Sequence, residues 1–530
     1  MYWRILRGKA RNNEHWFLGA ASAEPNLFGL CRVAIKMMQS ITTNKLGKLQ
    51  SCCFGAYLLN LILTMKKIFL LTITLVFTAI VVNAQTGKGG IDAGMLQQIE
   101  KGYEDTPANR AIRNAIGSND ISTLVINQDN QKAMDTNFSI RVKSKGITNQ
   151  ASSGRCWLFT GLNVMRAKAI EQYSMPVFEY SQNYTFFYDQ LEKANLFLQG
   201  VIDTRQQPID DKMVEWLFQH PLSDGGTFCG VSDLVKKYGL VPKDVMPETY
   251  SSNHTSTMRS LISQKLKEYG LKLRDDASKG VKQADLEAQK TDMLATVYRM
   301  LVLNLGIPPK EFDFVRKDAD GKPVATEHHT PMSFYEKYGD KGLLTDYVML
   351  MNDPTREYYK TYEIDFDRHT YDGQNWVYVN LPIDEIKEMA IASLKDNTMM
   401  YFSCDVGKFQ DSKRGLLDVN NFDYGSLMGT TFGMDKKQRI QTFASGSTHA
   451  MTLTAVDLDK AGKPTKWMVE NSWGIDRGYQ GFLIMTDEWF NEYMFRLVVE
   501  SRYVTAKVKE LLKQKPTKLP AWDPMFAEEE

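Results

Sequence analysis

NQASSGRCWLF, residues 149–159, leads into a predicted amphipathic helix that carries a cysteine in its first turn. Apolar residues then recur with the spacing of one buried helix face, at Leu158, Leu162, Met165 and Ala169. Ser152 and Ser153 lie just before this helix, where they are predicted to cap its free backbone N–H groups. Cys156 is therefore expected where the helix dipole favours a negative charge, a position that favours a reactive thiolate.

Gln150 lies six residues before the cysteine and adds a second polar group to this segment. An amide side chain placed there can reach back over the thiol. Together with the Cys156 backbone N–H, it would form a pair of donors for a developing oxyanion. Two plainer interpretations stay open: the cysteine as a small buried residue of the helix, and the glutamine as a solvent-facing loop residue.

His449 opens a strand-like run that continues to Val456, and a second such run covers residues 466–471. A hairpin centred near Lys460 places residues whose numbers add to about 920 opposite each other, which brings Asn471 opposite His449. The asparagine could then accept a hydrogen bond from one ring nitrogen and fix the tautomer for proton exchange with a thiol. The alternative is a polar pair on an ordinary hairpin.

Trp473 follows in the sequence NSWG, residues 471–474, and is predicted to shield this histidine–asparagine hydrogen bond from water. The other histidines lie in polar or turn contexts or, in one case, in the N-terminal extension. They are predicted to be surface or structural residues: His15, His220, His254, His328, His329 and His369.

Met65 begins a segment with the pattern of a secretory signal peptide. Two lysines are followed by an almost unbroken apolar run, 68–82, and by small residues before Gln85. The run is short for a membrane span, which needs about 20 apolar residues. We therefore expect signal peptide 65–84, a secreted or periplasmic location and no stable membrane anchor after cleavage. Residues 1–64 are then an unstructured upstream extension. A membrane anchor or a buried helix is the alternative.

The composition is that of a soluble globular protein, with 43% apolar and 24% charged residues. Residues 85–530 carry 54 Lys and Arg against 61 Asp and Glu, a net charge of −7, which argues against nucleic acid as a partner. This part of the chain has three cysteines, Cys156, Cys229 and Cys404, so at least one thiol stays outside any disulfide within the chain. No cysteine or histidine cluster has metal-ligand spacing, and no metal or cofactor is predicted.

The segments described so far, with several others, resemble the papain-like cysteine peptidases and in particular their bleomycin hydrolase and aminopeptidase C branch. The resemblance covers most of residues 130–530. Its motifs are NQ at 149–150, GRCWLF at 154–159, SCDVGK at 403–408, HA at 449–450, NSWG at 471–474, MTDEWF at 485–490 and LPAWDPM at 519–525.

The resemblance implies an α+β, papain-like fold of two subdomains, one helical and one of antiparallel β-structure, with large helical and hook-like insertions. We expect a helical half with an N-terminal arm over 85–250, an insertion over 251–375 and a β-rich half over 376–530. In the family, such insertions build a ring-shaped homohexamer whose active sites face an internal cavity.

The resemblance also assigns roles to single residues. Cys156 would be the nucleophile, His449 the acid and base, Asn471 the residue that orients the histidine, and Gln150 the oxyanion-hole side chain. The residues expected to contact substrate are Gly225, Gly226, Trp473 and Glu530. Glu530 belongs to a tail of three glutamates that departs from the family pattern; these residues could attract an α-ammonium group or be trimmed away.

The implied activity is that of a cysteine aminopeptidase acting on peptides with a free N-terminus, because the family's C-terminal arm lies in the cleft and admits only a chain end. The altered tail leaves a papain-like endopeptidase as one alternative. A ring scaffold without catalysis is another.

Overall fold

The computed structural model describes residues 60–61, 63–65, 67, 89–132, 134–343 and 345–525. The predicted extension and signal peptide lie almost entirely outside the described residues, as does Glu530. The chain divides into two compact units, Met1–Ala111 and Ile112–Glu530. No helix among the described residues is long and apolar enough to cross a membrane.

Helices dominate the first two thirds of the described chain. In order, they are α1 (Ala93–Glu100), α2 (Pro107–Ser118), α3 (Ile121–Leu124), α4 (Cys156–Gln172), α5 (Gln182–Asp203), α6 (Lys212–Gln219), α7 (Phe228–Tyr238), α8 (Tyr250–Asn253), α9 (Thr255–Ser278), α10 (Gln283–Leu305), α11 (Pro331–Tyr338), α12 (Ile383–Lys395), α13 (Tyr424–Met428), α14 (Lys436–Gln441), α15 (Asp487–Tyr493) and α16 (Ala506–Leu511).

Strands are most frequent towards the C-terminus, although the first of them lies near residue 140. They are β1 (Ile140–Arg141), β2 (Phe312–Lys317), β3 (Pro323–His329), β4 (Tyr347–Met351), β5 (Lys360–Ile364), β6 (Val377–Asn380), β7 (Met400–Cys404), β8 (Gln410–Asp411), β9 (Leu416–Leu417), β10 (His449–Leu458), β11 (Pro464–Glu470), β12 (Phe482–Thr486), β13 (Met494–Glu500) and β14 (Thr517–Leu519).

One large sheet contains twelve of these strands, in the order β14-β5-β6-β4-β13-β7-β10-β11-β12-β9-β8, with β1 beside β10; β2 and β3 form a separate hairpin. At its centre, β10 runs antiparallel to both β7 and β11. Strand β10 is buried over most of its length, because residues on both of its faces are apolar or small. It carries the predicted histidine at its first position.

Helix α4 packs against β10 and β7 and against the helices α5 and α7. The predicted apolar face is buried, and so are residues on the other faces, among them Trp157, Phe159 and Val164. A helix that is apolar on all sides belongs inside a protein. The central position of α4 therefore fixes Cys156, its first residue, at the meeting point of the sheet and the helices.

Helices α9 and α10 lie in the predicted insertion, and both pack on α5 within the same chain. The buried positions are Met258, Ile262, Leu266, Val297 and Leu301. Leu261 is 55% exposed because it projects from another side of α9. Helix α10 ends at Leu305, and the next residue, Gly306, has a φ of 92°, in the left-handed region that glycine adopts readily.

Residues 251–375, predicted as a helical and hook-like insertion, include strands as well as helices. They contain the β2–β3 hairpin, and their last part supplies β4 and β5 to the large sheet. The predicted boundary at 375 therefore falls within the sheet and does not separate two halves of the molecule. The cause is that β4 and β5 are short strands whose pairing with β13 and β6 is not visible as a local pattern.

Candidate active site

Cys156 is the first residue of α4, and the residue before it, Arg155, occupies the N-cap position. The prediction that Ser152 and Ser153 cap this helix is wrong, because no side chain caps it. Ser153 instead donates its hydroxyl hydrogen to the Gln150 carbonyl oxygen at 2.6 Å. The first backbone N–H groups of the helix are thus not satisfied by a serine, and their partial positive charge remains next to the thiol.

The Cys156 sulfur lies against the start of β10. The Ala450 backbone N–H donates to Cys156 Sγ at 3.4 Å, and Ala450 directly follows His449. Cys156 has no exposed surface, and His449 is 2% exposed. The thiol and the histidine therefore lie together in the interior, where electrostatic interactions are stronger than in water.

His449 forms the side-chain contact that the hairpin was expected to allow. Its Nε2 lies 2.8 Å from Asn471 Oδ1. The same Oδ1 accepts the backbone N–H of Ser472 at 2.8 Å, which identifies the atom as the amide oxygen. His449 Nε2 must therefore carry the hydrogen of a neutral ring, and Nδ1 is left as the proton acceptor.

The pairing register of this hairpin differs from the prediction. The turn is centred on Ala461 rather than Lys460, because the Asp459 carboxylate accepts the Ala461 backbone N–H at 2.8 Å. Thr452 therefore lies opposite Glu470, two positions away from the predicted register. The ladder ends at this pair, so the histidine and the asparagine meet diagonally beyond its end rather than as directly opposed residues.

The environment of His449 favours the neutral ring. Burial lowers the pKa of His449 from 6.5 to about 4, and the hydrogen bond with Asn471 opposes this effect. The ring of Trp473 lies beside the imidazole with 4.8 Å between centroids. This is the covering position predicted for the indole, and a neutral imidazole is the form that can accept a proton from a thiol.

The side chain of Gln150 is held at both ends of its amide. Ser472 Oγ donates to Gln150 Oε1 at 2.6 Å, and Gln150 Nε2 donates to the Ser153 carbonyl at 2.7 Å. Gln150 is buried, and its backbone N–H donates to the Ser472 carbonyl at 2.8 Å. The amide has two N–H groups and uses one of them here, so the second can serve a developing oxyanion.

Gly225 and Gly226 are both buried. The Gly225 carbonyl accepts a hydrogen bond from Lys193 Nζ. A Cβ on Gly226 would lie 2.1 Å from the His369 ring and 2.9 Å from the Trp157 ring. The glycine at 226 is therefore required by packing, and its predicted contact with substrate stays a prediction, as does that of Glu530, which lies outside the described residues.

A buried pair beside this segment is not evident from the sequence. His369 Nδ1 lies 2.5 Å from Asp189 Oδ1, and the Thr227 backbone N–H donates to His369 Nε2 at 3.3 Å. The His369 ring packs on Trp157 with 4.5 Å between centroids. Its role is structural, as predicted, but it lies in the interior. Nothing in the spacing links position 189 to position 369.

The three cysteines between 89 and 525 form no disulfide. Cys229 Sγ lies 3.0 Å from Thr227 Oγ1, and burial raises the pKa of its thiol, which makes it unreactive. Cys404 is a buried residue of β7, directly opposite His449 in the sheet. Within the described ranges, no group of three or more His, Cys, Asp or Glu residues could hold a metal ion.

A family model and individual relatives both match this chain over most of its length. The model of the peptidase C1-like family matches residues 90–526. An aminopeptidase C from Streptococcus thermophilus is 37% identical over 432 residues, covering 80% of this chain and 97% of the relative. The human bleomycin hydrolase is 39% identical over 393 residues, covering 73% of this chain and 86% of the relative.

A solved structure shares the fold. The crystal structure of PepW from Lactobacillus rhamnosis HN001 superimposes with a TM-score of 0.79 at 39% sequence identity. The match covers 83% of this chain and all of PepW. The similarity in fold therefore extends over most of this chain.

Proposed function

Since the chain belongs to the peptidase C1-like family and has its α+β, papain-like fold, we propose that it is a cysteine aminopeptidase that hydrolyses the N-terminal peptide bond of peptides. The observation that carries the proposal is the contact of His449 Nε2 with Asn471 Oδ1 at 2.8 Å, beside a cysteine at the start of a buried helix. The names of the relatives, aminopeptidase C and bleomycin hydrolase, support the same activity.

Acylation begins when His449 Nδ1 accepts the proton of the Cys156 thiol and the sulfur attacks the carbonyl carbon of the first peptide bond. The neutral histidine tautomer, with its hydrogen on Nε2, suits this step because Nδ1 is the free acceptor. The carbonyl oxygen becomes negatively charged. The second N–H of Gln150 and the Cys156 backbone N–H are the donors for that charge.

Collapse of the tetrahedral intermediate expels the amine of the shortened peptide, which takes the proton back from His449. The acyl group stays on the sulfur as a thioester. His449 then removes a proton from water, and the resulting attack releases the N-terminal amino acid and restores the thiol. Asn471 keeps the ring oriented throughout, because its Oδ1 accepts the Nε2 hydrogen in both the neutral and the charged ring.

We propose that the C-terminal residues of this chain restrict cleavage to the N-terminal peptide bond of the substrate. The Arg496 guanidinium on β13 donates to the Met525 carbonyl at 2.8 Å, and Met525 is fully buried. Residues 526–530 follow Met525 in the sequence, and we propose that they block the cleft beyond the first residue of a substrate.

A pair of matched substrates tests the aminopeptidase proposal. One fluorogenic dipeptide is offered with a free amino group and with an acetylated amino group. The proposal predicts turnover of the free peptide only, and no turnover of either in Cys156→Ala. Equal turnover of both would make the protein an endopeptidase. Activity that survives in Cys156→Ala would contradict the thiol mechanism, and no activity in the wild type would favour a scaffold role.

We also propose that the protein is exported and assembles into a homohexamer. Both points rest on the sequence: the signal-peptide pattern starting at Met65 and the resemblance to a family of hexameric rings. Intact-mass measurement of the native protein should give a chain starting at Gln85, and tryptic peptides from 1–64 would contradict this. Light scattering should give six copies, and a monomer would contradict the assembly.

A further inference from the structure

Asp224 connects the segment before the nucleophile with the segment of the two buried glycines. The Asp224 carboxylate is buried, and its Oδ2 accepts the Gly154 backbone N–H at 2.8 Å. The Asp224 carbonyl accepts the Trp157 Nε1–H at 2.9 Å. Gly154 and Trp157 lie on either side of Cys156, so one aspartate is bonded both before and after the nucleophile.

The same carboxylate also binds the start of helix α9. Thr255, the first residue of α9, donates its hydroxyl hydrogen to Asp224 Oδ2. Arg259, one turn later, donates from Nη1 to Asp224 Oδ1 at 2.7 Å. The long helix that packs on α5 is thereby tied to the nucleophile segment through one side chain.

Asp224 directly precedes Gly225 and Gly226, and this segment is fixed from its other side by α5. Lys193 Nζ donates to the Ser223 carbonyl at 3.1 Å and to the Gly225 carbonyl. Gln190 Nε2 donates to the Ser223 carbonyl at 2.8 Å. The segment 223–226 therefore has little freedom, and the Asp224 carboxylate transmits its position to the nucleophile segment.

Only a carboxylate satisfies this arrangement. An ionised aspartate has two acceptor oxygens and no hydrogen to donate, which matches three donors converging on it. An asparagine in the same place would turn its NH2 group toward either Arg259 or the pair formed by Gly154 and Thr255. The space is also tight, because a Cβ on Gly154 would lie 2.8 Å from Asp224 Oδ1.

We infer that Asp224 is a positioning residue for the thiol chemistry. It sets the place of the Cys156 backbone N–H and of the Gly225-Gly226 segment relative to each other, and it ties both to α9. The inference rests on the proposed function of Cys156. Asp224 does not touch the reacting atoms; it acts through Gly154 and Trp157.

The test compares Asp224→Asn with the wild type in three measurements: kcat and KM for the free dipeptide, the rate of Cys156 alkylation by iodoacetamide, and the melting temperature. We expect kcat to fall at least tenfold with KM changed less than threefold. The alkylation rate should fall in parallel, because that reaction needs the sulfur but no peptide. A merely structural role would lower the melting temperature while the folded protein kept its kcat and alkylation rate.

Asp276→Asn is the matched control. It makes the same aspartate-to-asparagine change near the C-terminal end of α9, away from Thr255 at the start of this helix, and breaks an ion pair with Lys272. We expect its kcat and alkylation rate to stay within twofold of the wild type. If Asp224→Asn does not fold, Thr255→Val removes one of the three donors and should lower kcat about threefold.

Wild-type values of kcat and of the alkylation rate in Asp224→Asn would overturn this inference but not the proposed function. If Asp224→Asn does not fold, the same result in Thr255→Val would overturn it. A wild-type protein without Cys156-dependent turnover would instead overturn the proposed function, and this inference with it. The two failures are distinguishable because the second is seen before any Asp224 variant is made.

Discussion

The hydroxyl of Ser472 donates to Gln150 Oε1 at 2.6 Å and so fixes which way the glutamine amide is turned. Ser472 follows Asn471 directly, and Asn471 orients His449. One short segment therefore orients both the base and the oxyanion donor. Because Oε1 is bound to Ser472, the Gln150 amide stays turned with Nε2 as its donor, and a fixed oxyanion hole needs such a donor.

Ser472→Ala should lower kcat about three- to tenfold, because it removes one hydrogen bond of about 1 kcal/mol and lets the Gln150 amide rotate. The effect should vanish when Gln150 is already alanine. A double-mutant cycle in kcat measures this coupling. If the free-energy effects of the two single substitutions on kcat simply add in the double variant, Ser472 does not act through Gln150.

Gln150→Glu and Gln150→Ala separate the shape of the side chain from its donor. Glutamate keeps the shape but offers a carboxylate where the oxyanion needs an N–H group. We expect both variants to lose about 100-fold or more in kcat, with glutamate at least as poor as alanine, and a smaller change in KM. A glutamate variant that retained most of its activity would contradict the role of Gln150 as a donor.

The buried His449 should make folding stability depend on pH. Its pKa is lowered from 6.5 to about 4, so between these values the unfolded chain binds the proton and the folded protein does not. The free energy of unfolding should therefore fall as the pH drops from 6.5 toward 4, by about 3 kcal/mol for this group. Above pH 6.5 this contribution is constant.

Denaturant unfolding across that range measures this effect, with His449→Gln and His220→Gln compared. His220→Gln is the matched substitution at an exposed histidine. His449→Gln should flatten the slope. Equal slopes in His449→Gln and the wild type would contradict a neutral, buried imidazole.

Gly226→Ala tests whether packing demands a glycine at this position. The added Cβ would lie 2.1 Å from the His369 ring, and a buried ring bonded to Asp189 has little room to move. We expect a loss of about 1–3 kcal/mol in unfolding free energy. Gly433→Ala is the control, because no atom lies within 4 Å of its Cβ position. Equal stability of the two variants would contradict the packing role.

The periodicity of apolar residues and the strand and turn patterns predicted helices and a hairpin formed by neighbouring residues. The buried face of α4 follows from the spacing of apolar residues, and the hairpin of β10 and β11 follows from two strand-like runs. The contact of His449 with Asn471 followed from the hairpin, although the turn residue Asp459 shifted the register by two positions. The exact position of a turn is among the features that are hardest to predict from a single sequence.

The contacts that the sequence did not reveal join residues that are far apart in the chain. Asp224 meets Gly154 across 70 residues, and His369 meets Asp189 across 180. The helix cap predicted from the serines before Cys156 is also absent, because the Ser153 hydroxyl donates to the Gln150 carbonyl instead. Such contacts depend on which segments the fold brings together, and no local spacing records that.

The central claim is that Cys156 is an activated nucleophile, and labelling by a thiol-directed epoxide tests it most directly. All three thiols between 89 and 525 are buried, so selective reaction would report activation rather than exposure. We predict one added inhibitor per chain, located on Cys156 by intact mass and peptide mapping, with activity lost in proportion. Label on Cys229 or Cys404 instead, or full activity after Cys156 has been modified, would contradict the account.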